Sequence, residues 1–105
     1  MTIFAAFLIL GGECVQFFIK DITDRYGKTR TDFRFPNRIG STITFLEPVK
    51  IGKPALFRYV KYNNGELAED HITQTSRVDD LEWFNDKFYI YTRNSIYQLV
   101  PLEEE

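Results

Sequence analysis

From residue 15 to residue 100, apolar side chains recur at every second position in short runs, and Gly, Pro, Asn and Asp separate the runs. That two-residue period predicts strands, and no stretch keeps a helical period with caps. Cys14 to Ile22 reads as a strand, with Val15, Phe17 and Ile19 on one face and Gln16, Phe18, Lys20 and Ile22 on the other. Asp24 to Lys28 reads as a turn in which Gly27 is free to take positive φ. Thr29 to Phe35 then alternates, Thr31, Phe33 and Phe35 one way and Arg30, Asp32 and Arg34 the other, which predicts a half-buried hairpin arm. Thr42 to Leu46 is a short strand between Gly40-Ser41 and Pro48.

The clearest strand is Ala55 to Tyr62, with Phe57, Tyr59 and Lys61 facing away from Leu56, Arg58, Val60 and Tyr62. Asn63-Asn64-Gly65 predicts a two-residue type I′ hairpin turn. The return arm, Glu66 to Gln74, is polar, with one helical turn near Leu67-Ala68-Glu69 as its alternative. Arg77 to Phe84, a turn at Asn85-Asp86 and Lys87 to Thr92 make a second hairpin, and Arg93-Asn94 turns the chain into Ser95 to Val100. Residues 101–105, Pro101 to Glu105, read as an acidic solvated tail. The sum is one all-β domain over residues 1–105, a small antiparallel barrel or sandwich, SH3-like or OB-like, of about seven to eight short strands.

Composition narrows the class. The 105 residues are 44% hydrophobic and 16% aromatic with only 6 Gly and 4 Pro, which excludes a disordered or collagen-like chain. Cys14 is the only cysteine, so neither a disulfide scaffold nor a cysteine-rich zinc site is open to the chain. Ile3 to Leu10 is unbroken and apolar, but it is far shorter than the roughly 20 residues of a membrane-spanning helix. It lacks the basic flank of a secretory signal and reads as a buried strand, able to complete a sheet across a homodimer. No membrane partner and a cytoplasmic location are the expectations.

Charge changes the picture more. The net charge of -2 conceals a segment from Lys20 to Tyr62 with 10 basic and 4 acidic residues, followed by Asn63 to Glu105 with 3 basic and 10 acidic. Such polarity suits macromolecular partners, unless the two halves neutralise each other across one sheet. Catalytic candidates are few. His71 stands alone beside Glu69 and Asp70, Ser41, Ser76 and Ser95 lie in no nucleophile setting, and Pro54 follows Gly52-Lys53 where a phosphate loop wants Ser or Thr. No catalytic set, metal site or cofactor is expected, and Cys14 reads as an inert buried thiol.

Two surfaces remain. The acidic one is Glu66, Asp79, Asp80, Glu82, Trp83, Phe84 and Asp86, where the two aromatics would anchor a protein partner. The basic one is Lys20, Arg25, Tyr26, Lys28, Arg30, Arg34 and Arg38, with Phe33 and Phe35 among them. A positive groove with rings for base stacking is what single-stranded nucleic acid requires, and small barrels supply it. A non-enzymatic protein-binding module is the first expectation, single-stranded nucleic-acid binding the alternative and an assembly subunit the third.

Thr75-Ser76-Arg77-Val78 and Thr92-Arg93-Asn94-Ser95-Ile96-Tyr97 resemble the ends of a loosely defined group of short bacterial and phage β-rich proteins. Those ends read Thr-Ser-x-Val, then Thr-x-Asn-Ser-x-Tyr. The resemblance implies provenance in a bacterium or its phage, and with it an inhibitor of a nucleic-acid-handling host complex. In physical terms the second motif suits a chain reversal, with Asn94 tolerant of left-handed φ and the hydroxyls of Thr92 and Ser95 satisfying backbone groups.

Overall fold

A computed structural model describes residues 15–102 as six antiparallel strands closed into a barrel. They are β1 (Gln16–Thr23), β2 (Thr42–Phe45), β3 (Pro54–Lys61), β4 (Ile72–Phe84), β5 (Lys87–Thr92) and β6 (Ile96–Leu102), and one helical turn, α1 (Phe35–Arg38), precedes β2. Each strand pairs with its neighbour in sequence and β6 closes on β1, so the fold is an up-and-down barrel and not a sandwich. Among the described residues there are six strands rather than seven or eight. Thr29 to Phe35 forms no strand, and between Tyr62 and Ile72 only Leu67 bridges back, to Lys61. Pro101 and Leu102, expected in the tail, end β6 opposite Phe17 and Gln16. The Ile3 to Leu10 segment with its dimer pairing, Cys14 and the terminal glutamates lie outside the described residues. No helix among the described residues is long and apolar enough to cross a membrane.

Alternation fills the barrel. Phe17, Ile19, Ile43, Phe45, Phe57, Tyr59, Phe88, Ile90, Tyr97 and Leu99 all point inward and are buried. The rings meet edge to face, as the aromatic quadrupole favours: Phe17 with Phe45 at 5.6 Å, Phe45 with Phe57 at 6.3 Å and Phe57 with Tyr97 at 6.4 Å. The alternation is interrupted where strands bend. A bulge between Ile19 and Asp21 resets β1, so Ile22 returns to the core instead of facing outward as the simple two-residue count has it. Register shifts opposite Pro54–Leu56 and between Val78 and Asp80 likewise carry the 13-residue β4 around the barrel, burying Thr75 and Val78.

Two turns exchange roles. At Asn63-Asn64-Gly65 neither asparagine takes positive φ and only Gly65 does, at +91°, with the Tyr62 amide donating to Glu66 O at 2.8 Å. That is a longer glycine-closed loop, not a two-residue type I′ turn. The type I′ signature sits at Asn85 and Asp86, whose φ values are 52° and 60°, between the paired residues Phe84 and Lys87.

Residues 24–40 cross one end of the barrel as a strap. Asp24 Oδ1 accepts from the amides of Tyr26 at 2.9 Å and Lys28 at 3.0 Å, closing the first turn around Gly27. Pro36 lies in the first turn of α1, where its missing N–H costs nothing. The Asn63 side chain donates to Pro36 O and Ile39 O, both at 3.1 Å, and fixes the far end of the strap. Gly40, at φ +91°, lets it pass close by: a Cβ there would lie 3.0 Å from Asn63 Cβ.

Candidate nucleic-acid interface

Beneath the strap is an open cleft of about 580 Å³. From the strap it takes Arg25, Tyr26, Arg30, Asp32, Phe33, Phe35 and Arg38, and from the barrel rim Gln74, Ser76, Thr92, Arg93, Asn94, Ser95 and Tyr97. Four guanidinium groups therefore face one carboxylate. That carboxylate is already used: Arg30 Nε and Nη2 donate to Asp32 at 3.0 and 2.8 Å, and the guanidinium beside it holds the Asp32 carboxyl below the usual carboxylate range. Arg30 Nη1 donates to Asn94 O at 2.6 Å and Ser95 Oγ at 3.1 Å, which ties the strap to the β5–β6 turn.

The cleft floor is buried and phenolic. Arg38 Nη1 donates to Tyr97 Oη at 2.7 Å. Burial pushes the Tyr97 phenol up, and the nearby Arg38 charge opposes that rise. The β5–β6 turn beside it is self-contained: the Ser95 amide donates to Thr92 Oγ1 at 3.0 Å, and Thr92 Oγ1 donates to Ser95 O at 2.9 Å. The hydroxyl role expected of Thr92 is thus realised, but Asn94 does not take the left-handed φ expected of it.

The rings are placed differently from the hairpin-arm expectation. Phe35 is buried, with Arg30 at 4.5 Å and Arg38 at 5.2 Å from its centroid. Phe33 is 75% exposed and Tyr26 93% exposed, and Arg34 lies over the Phe33 ring at 5.6 Å. Phe33 has φ +54°, a strained conformation for a bulky side chain. Arginines and aromatics therefore share one side, because no partner strand imposes alternation on this segment.

Of the basic residues singled out from sequence, Arg25, Tyr26, Arg30 and Arg38 line the cleft and Arg34 caps Phe33, while Lys20 and Lys28 do not line it. Sequence reasoning gave Gln74 and Arg93 no binding role, weighed Ser76 as a nucleophile and a motif residue, and treated Thr92, Asn94 and Ser95 as turn chemistry. The signal was the pair of motifs at 75–78 and 92–97, which the topology brings to one rim.

The acidic residues do not form one face. Glu66 lies in the connection that precedes β4, and Asp86 in the turn at its far end. Asp80, Glu82 and Phe84 alternate outward from Leu81 and Trp83, and Trp83 packs on the core with its ring 6.0 Å from Phe88. Trp83 is half-buried there rather than fully displayed. Asp79 is paired locally with Arg77 at 3.3 Å. That bridge and Arg30–Asp32 are the two ion pairs among the described residues, each spanning two positions, so the basic and acidic halves do not neutralise each other across the sheet. His71 is exposed, its Nδ1 3.0 Å from Tyr62 Oη, and no group of three metal-ligating side chains forms among the described residues. No protein-family model, curated protein or solved structure matches the chain.

Proposed function

We propose that the protein is a non-enzymatic binding module that takes single-stranded nucleic acid in the arginine–aromatic cleft. The observation that carries this reading is Phe33, an exposed ring held at positive φ on the rim of a cleft walled by Arg25, Arg38 and Arg93. Exposing that ring and straining its backbone both cost stability, which a ligand that stacks on the ring would return. A cytoplasmic location, where a lone cysteine persists reduced, accords with such a ligand.

Fluorescence anisotropy with a labelled homopolymer oligonucleotide across a salt series tests the reading. The uncommitted guanidinium groups of Arg25 and Arg93 give a negative slope in log K against log salt, about -0.7 for each phosphate neutralised, and Arg93→Ala is expected to weaken binding and flatten the slope. Absence of binding at low salt overturns the reading. The acidic β4–β5 hairpin as a protein-binding surface keeps one supporting observation, the 58% exposure of Phe84 beside the turn. It expects Arg93→Ala to leave function intact and Phe84→Ala to abolish it.

A further inference from the structure

We propose that the cleft is a one-nucleotide site that selects among bases: the Phe33 ring stacks on the base, Arg25 and Arg93 hold the phosphate, and the Gln74 and Asn94 amides read the base edge. This rests on the nucleic-acid reading above and names the unit recognised. The volume, about 580 Å³, falls in the roughly 300–1,000 Å³ range of small-ligand sites. Of the basic residues near the strap, Lys20 and Lys28 do not line the cleft.

The polar groups divide by availability. Arg30 commits Nε, Nη1 and Nη2 within the chain and so positions the strap. The Thr92 hydroxyl is taken by the Ser95 backbone, and the Ser95 hydroxyl accepts from Arg30. Among the described residues, the side-chain amides of Gln74 and Asn94 and the guanidinium groups of Arg25 and Arg93 make no hydrogen bond or ion pair within the chain. The Asn94 backbone is meanwhile fixed, its carbonyl by Arg30 and its amide by Ser76 Oγ at 3.4 Å. A free amide offers one donor and one acceptor side by side, the pattern that distinguishes one base edge from another. Sequence-selective recognition of unpaired bases uses this combination of ring stacking and edge reading.

Calorimetric titration with the four ribonucleoside monophosphates, ribose 5-phosphate and inorganic phosphate, with competition against a bound oligonucleotide, provides the test. At least one nucleotide is expected to bind and displace the oligonucleotide, with best and worst bases differing about fivefold or more. Phe33→Ala is expected to weaken nucleotides roughly 5- to 150-fold while leaving inorganic phosphate unchanged. The double variant Gln74→Ala, Asn94→Ala is expected to bring the four nucleotides to equal affinity without losing phosphate. If an oligonucleotide binds through Phe33 and Arg93 but mononucleotides neither bind nor displace it, or if all four bind equally to the unaltered protein, the one-nucleotide site is overturned and the broader reading stands. Displacement by an acidic peptide with nucleotides inert overturns it in favour of a protein ligand. If no oligonucleotide binds, both fall together.

Discussion

The strap over the cleft and the β4–β5 hairpin are built from similar runs, Arg30-Thr31-Asp32-Phe33-Arg34-Phe35 in one and Asp80-Leu81-Glu82-Trp83-Phe84 in the other. In the hairpin, ladder pairing sends Leu81 and Trp83 toward the core and Asp80 and Glu82 to solvent. In the strap there is no ladder, and three arginines gather over two phenylalanine rings. The difference teaches that alternation sorts side chains only where a neighbouring strand holds the register; without one, a similar run builds a concave charged surface. The sharpest way to break the comparison is to remove one ring from each region. Phe88→Ala, which empties a site 1% exposed against Trp83 and Phe17, is expected to cost about 3–5 kcal/mol in denaturant unfolding. Phe33→Gly is expected to leave stability unchanged or to raise it by up to about 1 kcal/mol, since glycine relieves the positive φ but adds unfolded-state entropy. Comparable losses in both variants would show that Phe33 is core and not a displayed ring.

A smaller effect separates the means by which each region is held. Hydrogen bonds along strands hold the hairpin, whereas the strap depends on Arg30 reaching from Asp32 to Asn94 and Ser95. Arg30→Lys keeps the charge but loses the fork that makes these contacts together. It is expected to cost about 1 kcal/mol in thermal unfolding, while amide exchange quickens over residues 24–34 and not over β4 and β5. Uniform quickening would mean that the strap and barrel open as one unit.

The strands and most of the core were legible because a two-residue period survives wherever pairing is regular: β5 follows it throughout, and β3 keeps it between the register shifts at its ends. The bulges were not, since an inserted residue reverses the parity of everything after it, as Ile22 and β4 show. The site was legible as a basic, aromatic stretch but not as a cleft. Nothing in the local sequence marks Phe33 for positive φ, and the far wall comes from residues about 40 to 60 positions away that only barrel closure brings near.

The smallest expected effect concerns pH, where the two regions respond in opposite directions. In the strap the favoured form is the charged carboxylate of Asp32, whose pKa the Arg30 hydrogen bond lowers. A lowered folded-state pKa stabilises above the unfolded value, and that contribution is lost as pH falls through the folded one. In the hairpin the favoured form is a neutral phenol: Tyr91 Oη donates to Glu82 Oε1 at 2.8 Å, and this bond, followed by burial, pushes Tyr91 up to about 12. A raised folded-state pKa stabilises below the unfolded value of 10, and that contribution fades as pH climbs from there through about 12. Ultraviolet titration of tyrosinate, taken as the difference between the unaltered protein and Tyr91→Phe, isolates this group. Glu82→Gln keeps an acceptor but removes the negative charge, so the Tyr91 midpoint is expected to move down toward 10 while the strap variants leave it in place. A midpoint unmoved by Glu82→Gln would mean that burial, not the carboxylate, keeps the phenol protonated, and the outer face of the hairpin would then hold Glu82 free for a partner.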